Sequence, residues 1–355
     1  MSFVFPKFER SEVNRAGRVL ASQDPTPAER RWAGDVLANW RASHAYPLNT
    51  FQATLRFRLR KTDTSAIVAQ RLKRAPSVVF KLRRFPTMNL VQMQDIGGLR
   101  TVVGSISKVR KLEANYRDNS FKHVLLNSKD YISSPKSDGY RSVHLVYRYV
   151  NRSARRYEGL LLELQIRTKL QHAWATAVEA MGTFLGEALK AGQGPAAWRD
   201  FFATASAAIA HVEATSPVPG FEGRSKEDIL DLLAQAETDM RVLEKLNTFA
   251  IAAPKITAVK GVGSYHLIVL DSATRTVSLT PFALGDLERA TVEYSKIEDR
   301  TQHGEPIEAV LVSAGRVEAL RRAYPNYFLD TQSFVGEIRR LFAERDLSGP
   351  RRSRH

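Results

Sequence analysis

The chain has no cysteine, which excludes disulfides, thiolate metal sites and a cysteine nucleophile. It has no run of 18 apolar residues, so no membrane span or membrane partner is expected. The opening stretch MSFVFPKFERSEVNRAG lacks the apolar core of a secretion signal, and a cytoplasmic home is expected. No Gly-Lys-Ser/Thr occurs, which excludes a Walker loop, and no His-Glu-x-x-His zinc helix occurs. Gly261-Val-Gly263 is too short for a dinucleotide fingerprint and reads as a hairpin turn. Acidic residues are the minority: Lys+Arg 53 against Asp+Glu 37 gives 53 − 37 = +16. That balance favours polyanionic partners. With 355 residues, 43% of them hydrophobic, the chain has material for two ordered units.

Apolar spacing of three to four predicts helices from Ser11 to about Leu20 and from Ala28 to about Arg41. Pro27 stands in the first turn of the second. Phe51, Leu55 and Leu59 form one face of a third helix, and a short helix is expected from Pro76. Between Thr54 and Arg84 lie ten basic residues and one acid, Asp63, a bias sharper than a solvated helix normally shows. Strands are predicted at Leu99–Val103, Phe121–Leu126, Ser142–Val150 and Leu160–Thr168, with a helix near Ile106–Tyr116. This order argues for an α+β fold, a mixed sheet with helices packed on it. Lys169–Phe184, Ala196–Ala214 and Lys226–Leu246 read as helices, with a break at Ser216–Gly220. A second unit is expected from Ala253: a hairpin of Lys255–Lys260 with Tyr265–Leu270, a strand Val277–Thr280, a helix Ala283–Ile297, a strand Ile307–Leu311, and helices Ala314–Arg322 and Thr331–Phe342. The expected divisions are residues 1–215, a helical linker 216–252, a small α+β unit 253–345 and a disordered basic tail 346–355.

Chemistry is concentrated in four segments. In Gly159–Thr168, alternation along a strand sends Leu162, Leu164 and Ile166 to one face and Glu163, Gln165 and Arg167 to the other. A carboxylate, an amide and a guanidinium in succession suit a metal ligand or base, a hydrogen-bonding group and a phosphate clamp. Taken alone, a half-exposed strand with a polar face explains them equally well. Arg71-Leu-Lys73 precedes Pro76-Ser77 and Lys81. Ser77 and Lys81 share a helix face, and a helix N-terminus flanked by such groups is a phosphate cradle; an exposed basic helix reads the same. Asp95-Ile-Gly-Gly-Leu-Arg100 sets an acid before a Gly-Gly turn, where Asp95 suits Mg²⁺ or an ordinary turn. Lys129-Asp-Tyr-Ile-Ser-Ser-Pro-Lys136-Ser-Asp-Gly-Tyr140-Arg-Ser-Val-His144 runs from loop to strand and joins lysines to an aromatic, a surface for stacking and phosphate binding.

Together and in this order, these segments resemble the RelA/SpoT-type nucleotide pyrophosphokinase domain. The resemblance rests on Arg71/Lys73/Ser77/Lys81, DIGGLR, KDYISSPKSDGYRSVH and ELQIRT, and covers about residues 40–185. It implies a nucleotidyltransferase-like mixed sheet with flanking helices. It further implies transfer of the β,γ-pyrophosphate of ATP to a ribose 3′-hydroxyl, with release of AMP. By the resemblance, Arg71, Lys73, Ser77, Lys81 and Arg100 bind ATP. Asp95 and Glu163 hold Mg²⁺, and Glu163 accepts or orients the 3′-hydroxyl proton with Gln165 beside it. Lys129, Lys136, Tyr140, His144 and Arg167 bind the acceptor, with Tyr140 stacked on its base.

The C-terminal unit resembles the antitoxin region of the CapRel fused toxin–antitoxin proteins, a zinc-finger-like fold without the metal. Residues 250–345 offer only His266 and His303 as metal ligands, where about four are needed. Tyr324-Pro-Asn-Tyr327 matches that family's Tyr-x-x-Tyr motif and is expected to plug the adenine pocket. The resemblance implies a monomeric, self-inhibited toxin that modifies the tRNA acceptor end when a phage capsid protein releases the plug. Two other readings stay open: an alarmone synthetase acting on GDP or GTP, and a degenerate module that merely binds tRNA.

Overall fold

The computed structural model describes residues 3–118, 121–185, 195–243, 246, 265–271, 273–274, 276–303, 305, 307–312 and 331–348. Three helices open the chain: α1 (Arg10–Ala21), α2 (Pro27–Ser43) and α3 (Ala45–Leu59). Thr26 and Glu29 cap α2 reciprocally around Pro27, which satisfies amide groups that a helix start leaves bare. Then follow β1 (Ile67–Leu72), α4 (Ala75–Arg84), β2 (Gly97–Val103), α5 (Ile106–Arg117), β3 (Val124–Asp130), β4 (Val143–Arg148), β5 (Leu161–Thr168) and α6 (Lys169–Leu185). The five strands form one mixed sheet in the order β1-β2-β5-β4-β3. Only β2 and β5 run parallel.

The centre of the sheet behaves as alternation demands. Leu162, Leu164 and Ile166 are fully buried in a core with Leu48, Phe51, Leu55 and Leu99. The opposite face of β5 is left to carry Glu163, Gln165 and Arg167. Gly97 begins β2 instead of making a turn, and a Cβ there would lie 2.7 Å from Leu162 Cδ2 and 3.3 Å from His44 Cβ. Its missing side chain serves the packing of α3 on the sheet.

Three helices follow: α7 (Ala196–Val212), α8 (Lys226–Met240) and, at the far end of the described chain, α10 (Gln332–Ser348). All three share one core with α6, built from Trp174, Phe202, Leu230, Phe334, Ile338 and their neighbours. The stretch read as a linker therefore contributes a packed helix. It stops at Met240 because Arg241 turns left-handed. Likewise α10 returns to the first unit's helices, with Lys226 and Glu344 paired at 3.1 Å.

The C-terminal unit has a three-stranded antiparallel sheet, β7 (Thr276–Phe282), β6 (Tyr265–Asp271) and β8 (Ile307–Val312), in that order, with α9 (Leu287–Gln302) against it. Tyr265, Leu267, Phe282, Ala290, Tyr294 and Ala309 make its core. β6 pairs with β7; the hairpin partner expected at 255–260 lies outside the described residues, as do the helix expected at 314–322 and Tyr324 and Tyr327. β8 lies beside β1, the edge of the large sheet. Among the described residues, no helix is long and apolar enough to cross a membrane.

Candidate active site

The donor-side residues converge at the start of α4. Asp95 accepts hydrogen bonds from Lys73 Nζ and Lys81 Nζ, each at 2.9 Å. Lys73 leaves β1 just before the helix, and Lys81 reaches back from one turn inside it. Burial alone would raise the Asp95 carboxyl, but the two ammonium groups outweigh it and hold the group at about 2. Burial lowers the Lys73 ammonium, and Asp95 offsets only part of that. Ser77 lies in the same first turns, half-buried, and Arg100 is buried on β2. Arg71 of β1 stands opposite Gly98 of β2, and Gly98 stands opposite Glu163 of β5. Arg71 and Glu163 thus flank a glycine that presents no side chain between them.

The acceptor-side residues form a chain of hydrogen bonds across β4 and β5. His144 Nδ1 donates to Glu163 Oε1 at 2.9 Å, and Gln165 Nε2 donates to Glu163 Oε2 at 2.8 Å. His144 Nε2 meets the Tyr140 hydroxyl at 2.7 Å, and Arg167 Nη2 donates to that same hydroxyl. Burial opposes ionisation of Glu163, yet its bond to His144 dominates and lowers the carboxyl; the Asp95 charge works in the raising direction. His144 is raised in turn: burial pushes it down, and Tyr140 and Glu163 together overcome that. The pair is therefore held as imidazolium and carboxylate more firmly than either group alone. Arg167 is 1% exposed, and its Nε and Nη1 have no hydrogen-bond partner among the described residues. A buried cation with open donors suits an anion.

Tyr140 is buried, with its ring edge-on to Tyr131, His144 and Trp174. Lys136 Nζ lies 5.1 Å from its ring centre and 4.8 Å from that of Tyr131. Lys129 pairs with His144 in the β3–β4 register and is exposed at the sheet margin.

Asp95 and Glu163 face one another closely enough for their charges to interact. Mg²⁺ takes oxygen ligands and is typically held by one or two carboxylates together with substrate phosphates, so this pair fits it. Among the described residues no cluster of three or more His, Asp or Glu side chains adds to them.

One contact has no counterpart in the local sequence pattern. Glu298 of α9 is 5% exposed and its Oε2 accepts from the backbone N–H of Ala75, the first residue of α4, at 2.9 Å. Arg41 Nη1 lies 3.5 Å from the same oxygen. Tyr294 donates to Glu298 Oε1 at 2.7 Å and accepts from Arg41 Nη2, while Arg41 Nε donates to the Lys73 carbonyl at 2.8 Å. A carboxylate from the C-terminal unit thus occupies the N-terminal end of α4. Beside it, Tyr265, Leu287 and Tyr294 face Arg71, Gln70, Ala42 and Leu48 across a cavity of about 750 Å³. Arg41, Tyr294 and Glu298 were not legible as site residues, because their meeting spans more than two hundred residues of chain.

Comparison with known proteins bears on residues 70–184, which match the family described as "Region found in RelA / SpoT proteins". The chain is 35% identical over 114 residues to the GTP pyrophosphokinase YjbM of Bacillus subtilis (strain 168), covering 31% of this chain and 52% of that protein. It is 32% identical over 111 residues to the GTP pyrophosphokinase YwaC of the same organism, covering 30% and 52%. The chain therefore spans about half the length of these relatives. Among solved structures it is similar to small alarmone synthetase 2 from Bacillus subtilis, with a TM-score of 0.42, 25% identity, and coverage of 49% of this chain and 91% of that one. It is also similar to small alarmone synthetase 1 bound to its product pppGpp, with a TM-score of 0.42, 25% identity, and coverage of 49% and 93%. Residues 70–184, the stretch that carries Arg71, Lys73, Asp95, His144 and Glu163, thus bear the sequence pattern of the region found in RelA / SpoT proteins.

Proposed function

We propose that the chain transfers the β,γ-pyrophosphate of ATP to the 3′-hydroxyl at the acceptor end of tRNA, and that its C-terminal unit holds the enzyme shut until a phage capsid protein draws that unit away. The observation that carries the transfer is the meeting of two sets of groups. On one side is the Lys73–Asp95–Lys81 cluster at a helix start; on the other is Glu163, gripped by His144 and Gln165.

In the transfer, the ribose 3′-oxygen bonds to the β-phosphorus while the bond from that phosphorus to the α,β-bridging oxygen breaks, and the bridging oxygen leaves on AMP. Lys73, Lys81, Ser77 and the amide end of α4 bind the phosphates. Arg71 and Arg100 hold the adenosine side. Mg²⁺ bound to Asp95 and Glu163 supplies neutralisation of the phosphate charge. Glu163 orients the 3′-hydroxyl and receives its proton, and His144 and Gln165 fix the rotamer of that carboxylate. Arg167, with unpartnered buried donors, binds acceptor phosphate. Tyr140 and Lys136 border the acceptor's base.

Self-inhibition is supported by Glu298, which sits on the amide end of α4 where a phosphate would bind. Tyr294 and Leu287 over Arg71 support it further. Tyr324 and Tyr327 are proposed as a second part of the plug. The net charge of +16 supports a nucleic-acid acceptor. The second reading, an alarmone synthetase acting on GDP or GTP, is favoured by the 35% identity to a GTP pyrophosphokinase.

Labelled ATP incubated with the protein and either deacylated tRNA or GTP separates the two. Label on tRNA supports the proposal; label on the nucleotide alone selects the second reading. In growing cells, Tyr324→Ala or Tyr327→Ala is expected to be toxic, and adding Glu163→Ala to restore growth. Harmless tyrosine variants that bind ATP as the parent does would remove these tyrosines from the plug.

A further inference from the structure

Helix α7 lies beyond the matched region, yet it grips the acceptor loop. Gly139 adopts φ +88°, and a Cβ there would sit 2.7 Å from Ser206 Cβ. Ser206 Oγ donates to the Gly139 carbonyl at 2.6 Å and accepts from Arg141 Nε at 3.2 Å. Arg141 is 2% exposed. Its Nη1 reaches Glu213, the residue that ends α7, at 3.2 Å, and Thr215 Oγ1 at 3.0 Å. The same Glu213 carboxylate accepts from the Thr168 hydroxyl and, at 2.9 Å, from Gln171 Nε2. Thr168 is the last residue of β5. One buried carboxylate therefore ties the loop that carries Lys136 and Tyr140 to the strand that carries Glu163, Gln165 and Arg167.

We propose that Glu213 is a positioning residue for the acceptor: with Arg141 and Ser206 it fixes the distance between the acceptor loop and the catalytic strand. This rests on the assignment of residues 136–144 to the acceptor under the proposed function. Glu213 touches neither the donor cluster nor Glu163 among its printed partners. Its effect should therefore fall on the acceptor and spare ATP. A general loss of fold would move both substrates together.

The test uses the full chain carrying Glu298→Gln, so that the site is open, with Glu213→Gln or Ser206→Ala added. KM values for ATP and for the acceptor that works, deacylated tRNA or GTP, are measured separately. Hydrogen exchange is followed at residues 136–142. We expect kcat/KM for the acceptor to fall roughly ten- to hundredfold for Glu213→Gln, the scale on which small misplacements act. The expected KM for ATP is unchanged, and exchange should quicken in the loop while β4 and β5 stay protected. Ser206→Ala, which removes no charge, should shift the same readouts less. If Glu213→Gln fails to fold, Ser206→Ala decides. Parallel changes for ATP and acceptor, or loop exchange identical to the parent, overturn the proposal. If the parent labels neither acceptor, the proposed function has failed, and the clamp is judged by exchange alone.

Discussion

The contact of Glu298 with α4 allows a quantitative prediction. Glu298→Gln keeps the side-chain shape but removes the charge facing Arg41 and the helix amide end. A hydrogen bond to a charged group contributes about 1.5–3 kcal/mol, and a carboxylate at a helix N-terminus about 0.3–1 kcal/mol. The closed arrangement should therefore lose roughly 2–3 kcal/mol, a factor of about 30–150 in its population relative to the open one. If bound ATP and docked Glu298 exclude each other, the apparent ATP affinity of the full chain rises by up to that factor, because the competent fraction limits binding. Calorimetric titration with a non-hydrolysable ATP analogue reads this directly. Glu293→Gln on the same helix is the control, since Glu293 pairs only with exposed Lys296 at 2.8 Å, and it should leave ATP binding unchanged. The reasoning is refuted if Glu298→Gln binds the analogue no more tightly than the parent while hydrogen exchange shows α9 loosened from α4.

Three further outcomes are expected. Glu163→Gln should lower transfer about 10²–10⁴-fold with ATP binding retained; label transfer at the parental rate would remove Glu163 from the chemistry. Asp63 is buried, and although burial alone would raise it, hydrogen bonds from Gly104, Ser65 and Lys108 hold it at about 2. The stability it contributes should be full above about pH 4, near the unfolded carboxyl value, and vanish as pH falls through about 2. Urea titrations should accordingly show Asp63→Asn less stable by about 1–3 kcal/mol at neutral pH, with the gap closing in acid; a gap that persists at pH 2 contradicts the assignment. Gly139→Ala should shift the urea midpoint down by an amount worth about 1–3 kcal/mol, because its φ of +88° and the nearby Ser206 leave no place for a methyl group. An unchanged midpoint would mean that the loop relaxes freely.

The interior of the sheet was readable from the chain because alternation is a local signal. The period-two pattern of Leu162 to Arg167 fixed both faces of β5, and Asp95 and Glu163 could be placed on one site from the motifs around them. β1 escaped notice: Ile67-Val-Ala-Gln-Arg-Leu72 is an edge strand, mostly half-buried on both faces, so its apolar residues do not alternate. β3 starts at Val124, later than the expected Phe121, and shifts register between Leu125 and Asn127. Phe121 instead packs into the aromatic cluster around Phe51 and Tyr147. Arg41 with Glu298 and Arg141 with Glu213 are pairings across long stretches of chain, for which neither residue's neighbours hold a clue. The alternation that predicted the catalytic carboxylate also left its partner His144 on the adjoining strand to be identified by resemblance alone.

The small sheet and α9 are bracketed by α8 and α10, which pack together on the same helical layer. A unit anchored on both sides behaves as a hinged door with two posts: it can leave the donor cleft without ever leaving the molecule. Reclosure is then a first-order event at a high local concentration, independent of how much protein the cell holds. Any trigger must keep its grip for as long as the cleft is to remain open.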